Sequence, residues 1–188
     1  MKSISLMVCL VICTSISAQK FTDLDKSPID ISYYPHNFSH DRKFAASLIG
    51  SDPAVIRVTY SRPAKNSREV FGKLVSFGKV WRAGANEETE IKFYRDLMIG
   101  GKAIKAGTYA LFVIPEQNEW TIILNTDLDQ WGAYSYDEKK DVVRFKVPVT
   151  KALITIENFS IVFEKVDGKS AKMYMGWDGS VVMIPIAL

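Results

Sequence analysis

Cysteine is scarce in this sequence: Cys9 and Cys13 are the only two among 188 residues, and both lie near its start. We predict that residues 1–18 are a signal peptide, because Lys2 precedes an apolar run and the small residues at 15–18 offer a cleavage site. Once this leader is removed, the chain has no thiol, which excludes disulfide bonds and cysteine chemistry. Its stability must then come from an ordinary hydrophobic core.

Long hydrophobic runs and an excess of one charge are also missing. The apolar run of the leader, from Ile4 to Ile12, is shorter than the roughly 20 residues that span a membrane. The formal net charge is +3, or +2 without Lys2, and no dense block of Lys and Arg occurs. This balance argues against a nucleic-acid partner. We predict export to the periplasm or the cell exterior, and association with the cell envelope is left open. We also predict no transmembrane segment in the mature chain.

Metal and cofactor signals are weak. His36 and His40, the only histidines, lie four residues apart in HNFSH, which lacks the Glu of a zinc-binding HExxH motif. Residues 125–129 begin like a calcium loop, but Gln130 and Tyr136 stand where that loop needs Gly and Glu. We therefore predict no cofactor and no dedicated metal site, with a looser cation site at 125–129 as the alternative.

The remaining pattern is that of a β protein. We predict an extended N-terminal segment over residues 19–52 and a β-sandwich domain over 53–188, with one short helix at 66–75 capped by Ser67. The expected strands are 54–60, 88–96, 97–104, 107–115, 119–127, 141–149, 152–166, 170–178 and 180–188. The Gly100-Gly101 pair within 97–104 suits a two-residue hairpin turn. Short strands and frequent turns indicate an all-β, antiparallel two-sheet sandwich, and a closed barrel is the alternative.

Seven segments occur in an order that resembles a known family. They are TYSRP (59–63), REVFGKLV (68–75), FGKVWRAGANEETEIKF (77–93), GGKAIKAGTYALFVIP (100–115), EWTIILN (119–125), WGAYSYDEKKDVVRFKVPV (131–149) and FSIVFEK (159–165). From about Ser27 to the C-terminus the chain resembles domain-of-unknown-function family 2911, a group of exported bacterial proteins. The resemblance implies a small envelope-associated β domain and no established activity. Three positions depart from the family's usual residues: Ser67 replaces Gly, Phe77 replaces Tyr and Glu88 replaces Ala.

The stretch VWRAGANEETEI, residues 80–91, has two interpretations. It can be a strand–turn–strand, in which Trp81 is core, Gly84 and Asn86 make the turn, and Arg82 pairs with a following Glu. Alternatively it belongs to a ligand site, because several Arg side chains near an amide and an acid can grip a carboxylate or phosphate. The candidate ligand-binding residues here are Tyr60, Arg62, Arg68, Lys79, Arg82, Asn86 and Glu87.

The loop WGAYSYDEKKD, residues 131–141, supplies two further candidates, Trp131 and Tyr134. Exposed aromatic rings on a loop would form a stacking platform for a sugar or a peptide. In the alternative interpretation both rings plug the end of the sandwich, because aromatic side chains dominate core burial.

These observations favour an exported, non-catalytic binding module for an anionic, glycan or peptide ligand. Two alternatives remain open. One is a structural module that contacts an envelope protein and has no small-molecule site. The other is a small hydrolase, in which Glu87 and a second carboxylate face each other across a cleft; no sequence motif assigns a catalytic residue.

Overall fold

The computed structural model describes residues 19–49 and 54–188, so the predicted signal peptide lies outside the described residues. The described part is mostly β-structure, as predicted. The strands are β1 (Ile29–Tyr34), β2 (Ile56–Ser61), β3 (Thr89–Phe93), β4 (Leu97–Ile99), β5 (Lys102–Ile104), β6 (Gly107–Pro115), β7 (Glu119–Asn125), β8 (Asp141–Lys165) and β9 (Ser170–Ala187). Two short helices, α1 (Phe38–Phe44) and α2 (Ala46–Ile49), and a 3-10 turn at Glu138–Lys140 complete the elements.

The strands form one continuous antiparallel sheet rather than the two separate sheets that we predicted. Its order is β1-β2-β3-β6-β7-β8-β9-β4-β5. The reason is strand β8, which has 25 residues. Its first part pairs with β7 as far as Pro148, and its second part, from Val149 to Lys165, pairs with β9. A single strand therefore continues from one half of the sheet into the other.

Strands β8 and β9 bend along their length. The β8–β9 register shifts between Lys151 and Ile156 and again before Ser160, and such irregularities bend a strand. The backbone N–H of Leu188 donates to the carbonyl of Lys169 at 2.8 Å. The end of β9 thus returns to the neighbourhood of its beginning.

The core lies between the two halves of this bent sheet. Alternate residues of β2 (Ile56, Val58) and of β9 (Met173, Met175) are buried and belong to one hydrophobic cluster, as expected for strands with one face turned inward. The bulkiest side chains with almost no exposure are Trp120, Trp177, Phe93, Phe112 and Phe159.

The helix prediction at 66–75 is wrong. Turns occupy this segment, and both Asn66 and Ser67 have left-handed backbone angles, with φ of 50° and 60°. A non-glycine residue with positive φ is unfavourable inside a helix, whereas the Gly that is usual in the family at position 67 adopts it freely.

The N-terminal segment, predicted as extended, contributes an edge strand to the sheet. Residues 29–34 form β1, which pairs with β2 from Ile29 opposite Ser61 to Tyr34 opposite Ile56. Both α1 and α2 lie in this segment, and Phe38 of α1 is buried. No helix among residues 19–49 and 54–188 has the length and apolarity to cross a membrane.

Candidate functional site

The loop before β3 is a tight, internally bonded turn. Trp81 forms an isolated bridge with Val113 of β6, with N–H···O distances of 2.7 and 2.9 Å. Its indole N–H donates to the Gly84 carbonyl at 3.1 Å, and the Thr89 hydroxyl donates to the Ala83 carbonyl at 2.7 Å. Asn86 has a φ of 61°. The turn interpretation of residues 80–91 therefore agrees with this geometry.

This turn nevertheless forms one wall of a cavity of about 450 Å³. A volume in this range suits a small-molecule ligand. Four of the candidate residues border the cavity, namely Arg68, Lys79, Arg82 and Tyr134. The other lining residues are Ser27, Pro63, Leu74, Val75, Ser76, Val80, Trp81, Gly84, Ala85, Ala133 and Trp177.

The charge of this lining is of one sign. Three of its side chains are cationic, and no Asp or Glu belongs to the described lining. The cations stand over an apolar floor that includes the indoles of Trp81 and Trp177, which are 8% and 1% exposed. We call this cavity, with Arg68, Lys79 and Arg82, the cationic cavity. Its composition can hold an anionic group against a hydrophobic surface.

Arg82 is the cation of the three that has a buried donor without a hydrogen bond in the described structure. Its Nε is buried and has no hydrogen-bond partner among the residues that the structure describes, which is uncommon for a buried polar atom. The expected ion pair with Glu87 or Glu88 is not found, because none of the ion pairs among the described residues includes Arg82. The guanidinium lies beside the 131–141 loop, since a Cβ built on Gly132 would stand 2.5 Å from its Nη1.

Arg68 is held in place by backbone carbonyls. Its Nε donates to Lys65 O at 2.8 Å and its Nη2 to Ala64 O at 2.6 Å. Lys65 is in turn paired with Asp178 of β9 at 2.7 Å. These contacts orient the guanidinium without neutralising its charge. Lys79, the third cation, is exposed.

Two other candidates, Tyr60 and Arg62, make hydrogen bonds that connect strands of the sheet. The Tyr60 hydroxyl accepts from Ile161 N at 3.0 Å and donates to Ile161 O at 3.4 Å. Arg62 donates to Phe159 O, to Asp30 Oδ2 and to Ser160 Oγ at 3.2, 2.9 and 2.8 Å. Tyr60 thus joins β2 to β8, and Arg62, directly after β2, is bonded to both β1 and β8. Neither residue borders the cationic cavity.

Asn86, Glu87 and Trp131 lie next to the cationic cavity without lining it. Glu87 and Trp131 form an isolated backbone bridge. The pKa of Asp25 is lowered mainly by the backbone N–H of Ser27, which donates to its Oδ1 at 2.6 Å, and further by the nearby Asn86 amide. The nine candidates therefore divide into four that meet at one cavity and five that do not.

The aromatic loop is exposed, so Trp131 and Tyr134 do not plug the end of the sheet. Their exposed fractions are 61% and 83%. The loop is anchored through Tyr136, whose hydroxyl donates to Asp141 Oδ2 at 2.6 Å and accepts from Arg144 Nη2 at 2.7 Å. Burial is the main cause that raises the pKa of Tyr136. Only Tyr134 of the two exposed rings borders the cationic cavity.

Sequence reasoning missed a buried acid beside this loop. Glu88 is 6% exposed, and its Oε2 accepts from Gln130 N at 2.7 Å. Its Oε1 and the Oε1 of Gln130 have no hydrogen-bond partner in residues 19–49 and 54–188. Burial raises the pKa of Glu88, and the backbone N–H groups around it oppose that effect only in part. The one available signal was that Glu88 replaces the family's usual Ala.

The metal alternatives gain no support from the geometry. No group of three or more His, Cys, Asp or Glu among residues 19–49 and 54–188 could hold a metal ion. His40 contacts Asp41 through Nδ1 at 2.9 Å. In the calcium-like stretch, Asp127 pairs with Lys140 at 2.6 Å, and the Asn125 amide donates to Asp137 O and Asp141 Oδ1.

A bent antiparallel sheet with a cationic cavity at one loop cluster thus defines a β domain with a candidate anion site. The family model described as "Protein of unknown function (DUF2911)" matches residues 45–186, and the chain belongs to this family. No curated protein and no solved structure matches the chain significantly.

Proposed function

We propose that the protein is an exported, non-catalytic binding module, and that the cationic cavity takes a small anionic ligand with a flat or apolar part. The observation that carries this proposal is the set of three cations, Arg68, Lys79 and Arg82, around one cavity whose described lining has no acid. Unpaired like charges repel one another, so an arrangement of this kind is stabilised by an anion.

The chemistry of the three cations favours a carboxylate or a phosphate. Arginine presents a planar fork of N–H donors that matches these groups in two parallel hydrogen bonds. The buried Nε of Arg82 has no partner within the described part of the chain, so an anionic oxygen that accepts from Arg82 would satisfy this donor. Such a contact contributes more to the free energy of binding than one made by a fully solvated side chain.

The rest of the lining favours a ligand that is more than a bare ion. Trp81, Trp177 and Val75 give the cavity a hydrophobic floor. The exposed ring of Tyr134 stands at its edge and can stack on an aromatic or sugar ring. We therefore expect an aromatic acid, an acidic sugar or the acidic end of a peptide to bind more tightly than inorganic phosphate.

A carboxylate-dependent hydrolase finds no support at this cavity, because its described lining offers no pair of Asp or Glu. The structural module without a ligand remains the alternative that the experiment must separate from binding. Export remains a proposal, which detection of the mature chain in a periplasmic fraction would test.

The decisive experiment is isothermal titration of residues 19–188 with phenyl phosphate, benzoate and glucuronate, with benzyl alcohol as the uncharged comparison. We expect the anions to bind and benzyl alcohol not to bind. Arg82→Gln should weaken binding by roughly 10- to 100-fold, since a charge-assisted hydrogen bond contributes about 1.5–3 kcal/mol.

The matched control is Arg95→Gln, which changes the net charge equally at an exposed position between β3 and β4. It should leave the affinity for these anions within about twofold, because exposed charges at a distance are screened by salt. Absence of binding by all three anions, or equal weakening by both variants, would favour the structural module.

A further inference from the structure

A second, larger cavity lies where β8 and β9 separate. The two strands pair as far as Val149 opposite Val182. Beyond this point β9 pairs with β4, at Ile186 opposite Ile99, while β8 remains paired with β7. Between the diverging strands is a groove of about 880 Å³, which shares no lining residue with the cationic cavity.

The lining of this groove is almost entirely apolar. Met183, Pro185 and Ala187 form an alternating row of exposed residues on β9, opposite Phe145 and Val147 of β8. The remaining lining residues are Met98, Gly100, Gly101, Lys146, Pro148, Thr150, Val166, Ser170, Ala171, Lys172 and Ile186. Sites with this composition bury apolar ligands and orient them by a few polar groups.

The backbone of the groove is poorly suited to a peptide strand. The N–H of Val149 points toward β7 and donates to Asn118 O at 2.9 Å. Because successive residues of a strand direct their N–H groups to opposite sides, Pro148 lies on the side that faces the groove, where it offers no donor. Pro185 removes a second donor from β9. An occupant that needs no hydrogen bonds along its length suits these walls better.

The charged residues of the groove indicate which charge the polar end of a bound ligand should carry. Lys146 and Lys172 are its only charged lining residues, and no acid belongs to the described lining. Lys146 is bonded to Glu119. Lys172 lies 3.8 Å from Glu164 Oε1, and the other oxygen of that carboxylate already accepts from Tyr174 at 2.8 Å. Lys172 is therefore the cation with more capacity for a new anion.

We infer that this groove binds a fatty acid, with the acyl chain along the Met183–Ala187 row and the carboxylate at Lys172. The inference does not depend on the proposed function of the cationic cavity, because the two sites share no residue.

The test is titration of residues 19–188 with octanoate, decanoate and dodecanoate below their micelle concentrations. Each added methylene should tighten binding by about fourfold, the value for burying one CH₂ in an apolar site. Lys172→Gln should weaken the binding of dodecanoate by about two- to fivefold, as expected for a charge contact near the surface. The affinity for 1-dodecanol, which has no charge, should stay unchanged. Lys146→Gln should have the smaller effect of the two.

Met183→Asp should abolish binding of all three acids, because it places a charge in the apolar row. The matched control is Leu153→Asp, at a fully exposed aliphatic residue outside the groove, which should bind as the wild type does. Ala187→Asp, on the same row as Met183, replaces Met183→Asp if that variant fails to fold.

Three results would overturn the inference. The first is absence of fatty-acid binding by the wild type, and the second is an affinity that does not change with acyl-chain length. The third is fatty-acid binding that survives both Met183→Asp and Ala187→Asp. Self-association of the wild type that Met183→Asp removes, without fatty-acid binding, would assign the groove to a second copy of the chain instead.

Discussion

The indole rings of Trp81 and Trp177 stack in the core, with centroids 5.9 Å apart and planes inclined by 19°. Trp81 is bridged to β6 through Val113, and the Trp177 indole N–H donates to the carbonyl of Glu157 in β8 at 3.1 Å. The pair therefore joins the two halves of the sheet. Both rings also border the cationic cavity, so the floor of the site is part of the core.

Trp177→Ala should reduce the free energy of unfolding by about 3–5 kcal/mol, the usual cost of removing a large buried aromatic side chain. Urea unfolding followed by circular dichroism measures this loss. Trp131→Ala is the matched control, since Trp131 is 61% exposed, and it should cost no more than about 0.5 kcal/mol. Equal losses in both variants would contradict the burial of Trp177.

Tyr60→Phe should destabilise the fold by about 1–3 kcal/mol, because it leaves the buried N–H of Ile161 without its acceptor. Tyr134→Phe removes the same hydroxyl from an exposed ring and should be close to neutral. Denaturant midpoints of the two variants make this comparison. If Tyr60→Phe weakens anion binding without loss of stability, Tyr60 is a ligand residue and its structural assignment here is wrong.

Glu88 should make stability depend on pH. Because burial raises its pKa, the folded chain retains this proton at pH values where the unfolded chain has lost it. The free energy of unfolding therefore falls as pH rises from the ordinary glutamate range through the raised pKa. Glu88→Gln removes this contribution, so its stability relative to the wild type should increase with pH.

Thermal unfolding at several pH values between about 4 and 8 measures this trend, with the exposed neighbour Glu87→Gln as the control for the loss of one negative charge. A difference between Glu88→Gln and the wild type that stays constant with pH would show that the pKa of Glu88 is the same in the folded and the unfolded chain, and would contradict its raised pKa.

The turn between β4 and β5 offers a comparison of two adjacent glycines. Gly100 and Gly101 have φ of 59° and 76°, so alanine at either costs about 1–2 kcal/mol of backbone strain. A Cβ at Gly100 would also overlap the Phe145 ring, whereas one at Gly101 meets nothing within 4 Å. Gly100→Ala should therefore lower the melting temperature more than Gly101→Ala, and the reverse order would contradict this packing.

Much of the strand pattern follows from the sequence. The predicted strands at 54–60, 107–115 and 119–127 correspond to β2, β6 and β7, because alternation and β-branched residues specify a half-buried strand. The Gly100-Gly101 hairpin turn is likewise confirmed.

The continuity of the sheet could not be predicted in the same way. The predicted strands 141–149 and 152–166 are one strand, β8, and 170–178 and 180–188 are one strand, β9. Residues 152–155 interrupt the β8–β9 pairing, with Leu153 and Ile154 exposed. A register shift of this kind breaks the alternation of buried and exposed residues just as a turn does, so periodicity cannot distinguish the two.

The cationic cavity was predicted in part. Arg and aromatic residues near a turn indicated a ligand site. The sequence could not show which Arg belongs to it, because Arg62 and Arg82 are the same residue type. Arg62 meets Asp30 through the β1–β2 pairing, and only tertiary structure reveals that contact. Arg82 pairs with no acid among residues 19–49 and 54–188, although Glu87 and Glu88 follow it closely in sequence.

The long hairpin of β8 and β9 also constrains when the fold can form during synthesis. Val182, Ile184 and Ile186 pack in the same cluster as Ile56 and Val58, more than 120 positions earlier in the chain. Contacts so distant in sequence form slowly, and synthesis proceeds from the N-terminus. A growing chain therefore cannot complete this core until Ile186 has been added, and until then the buried residues of β2 lack the part of the cluster that β9 contributes.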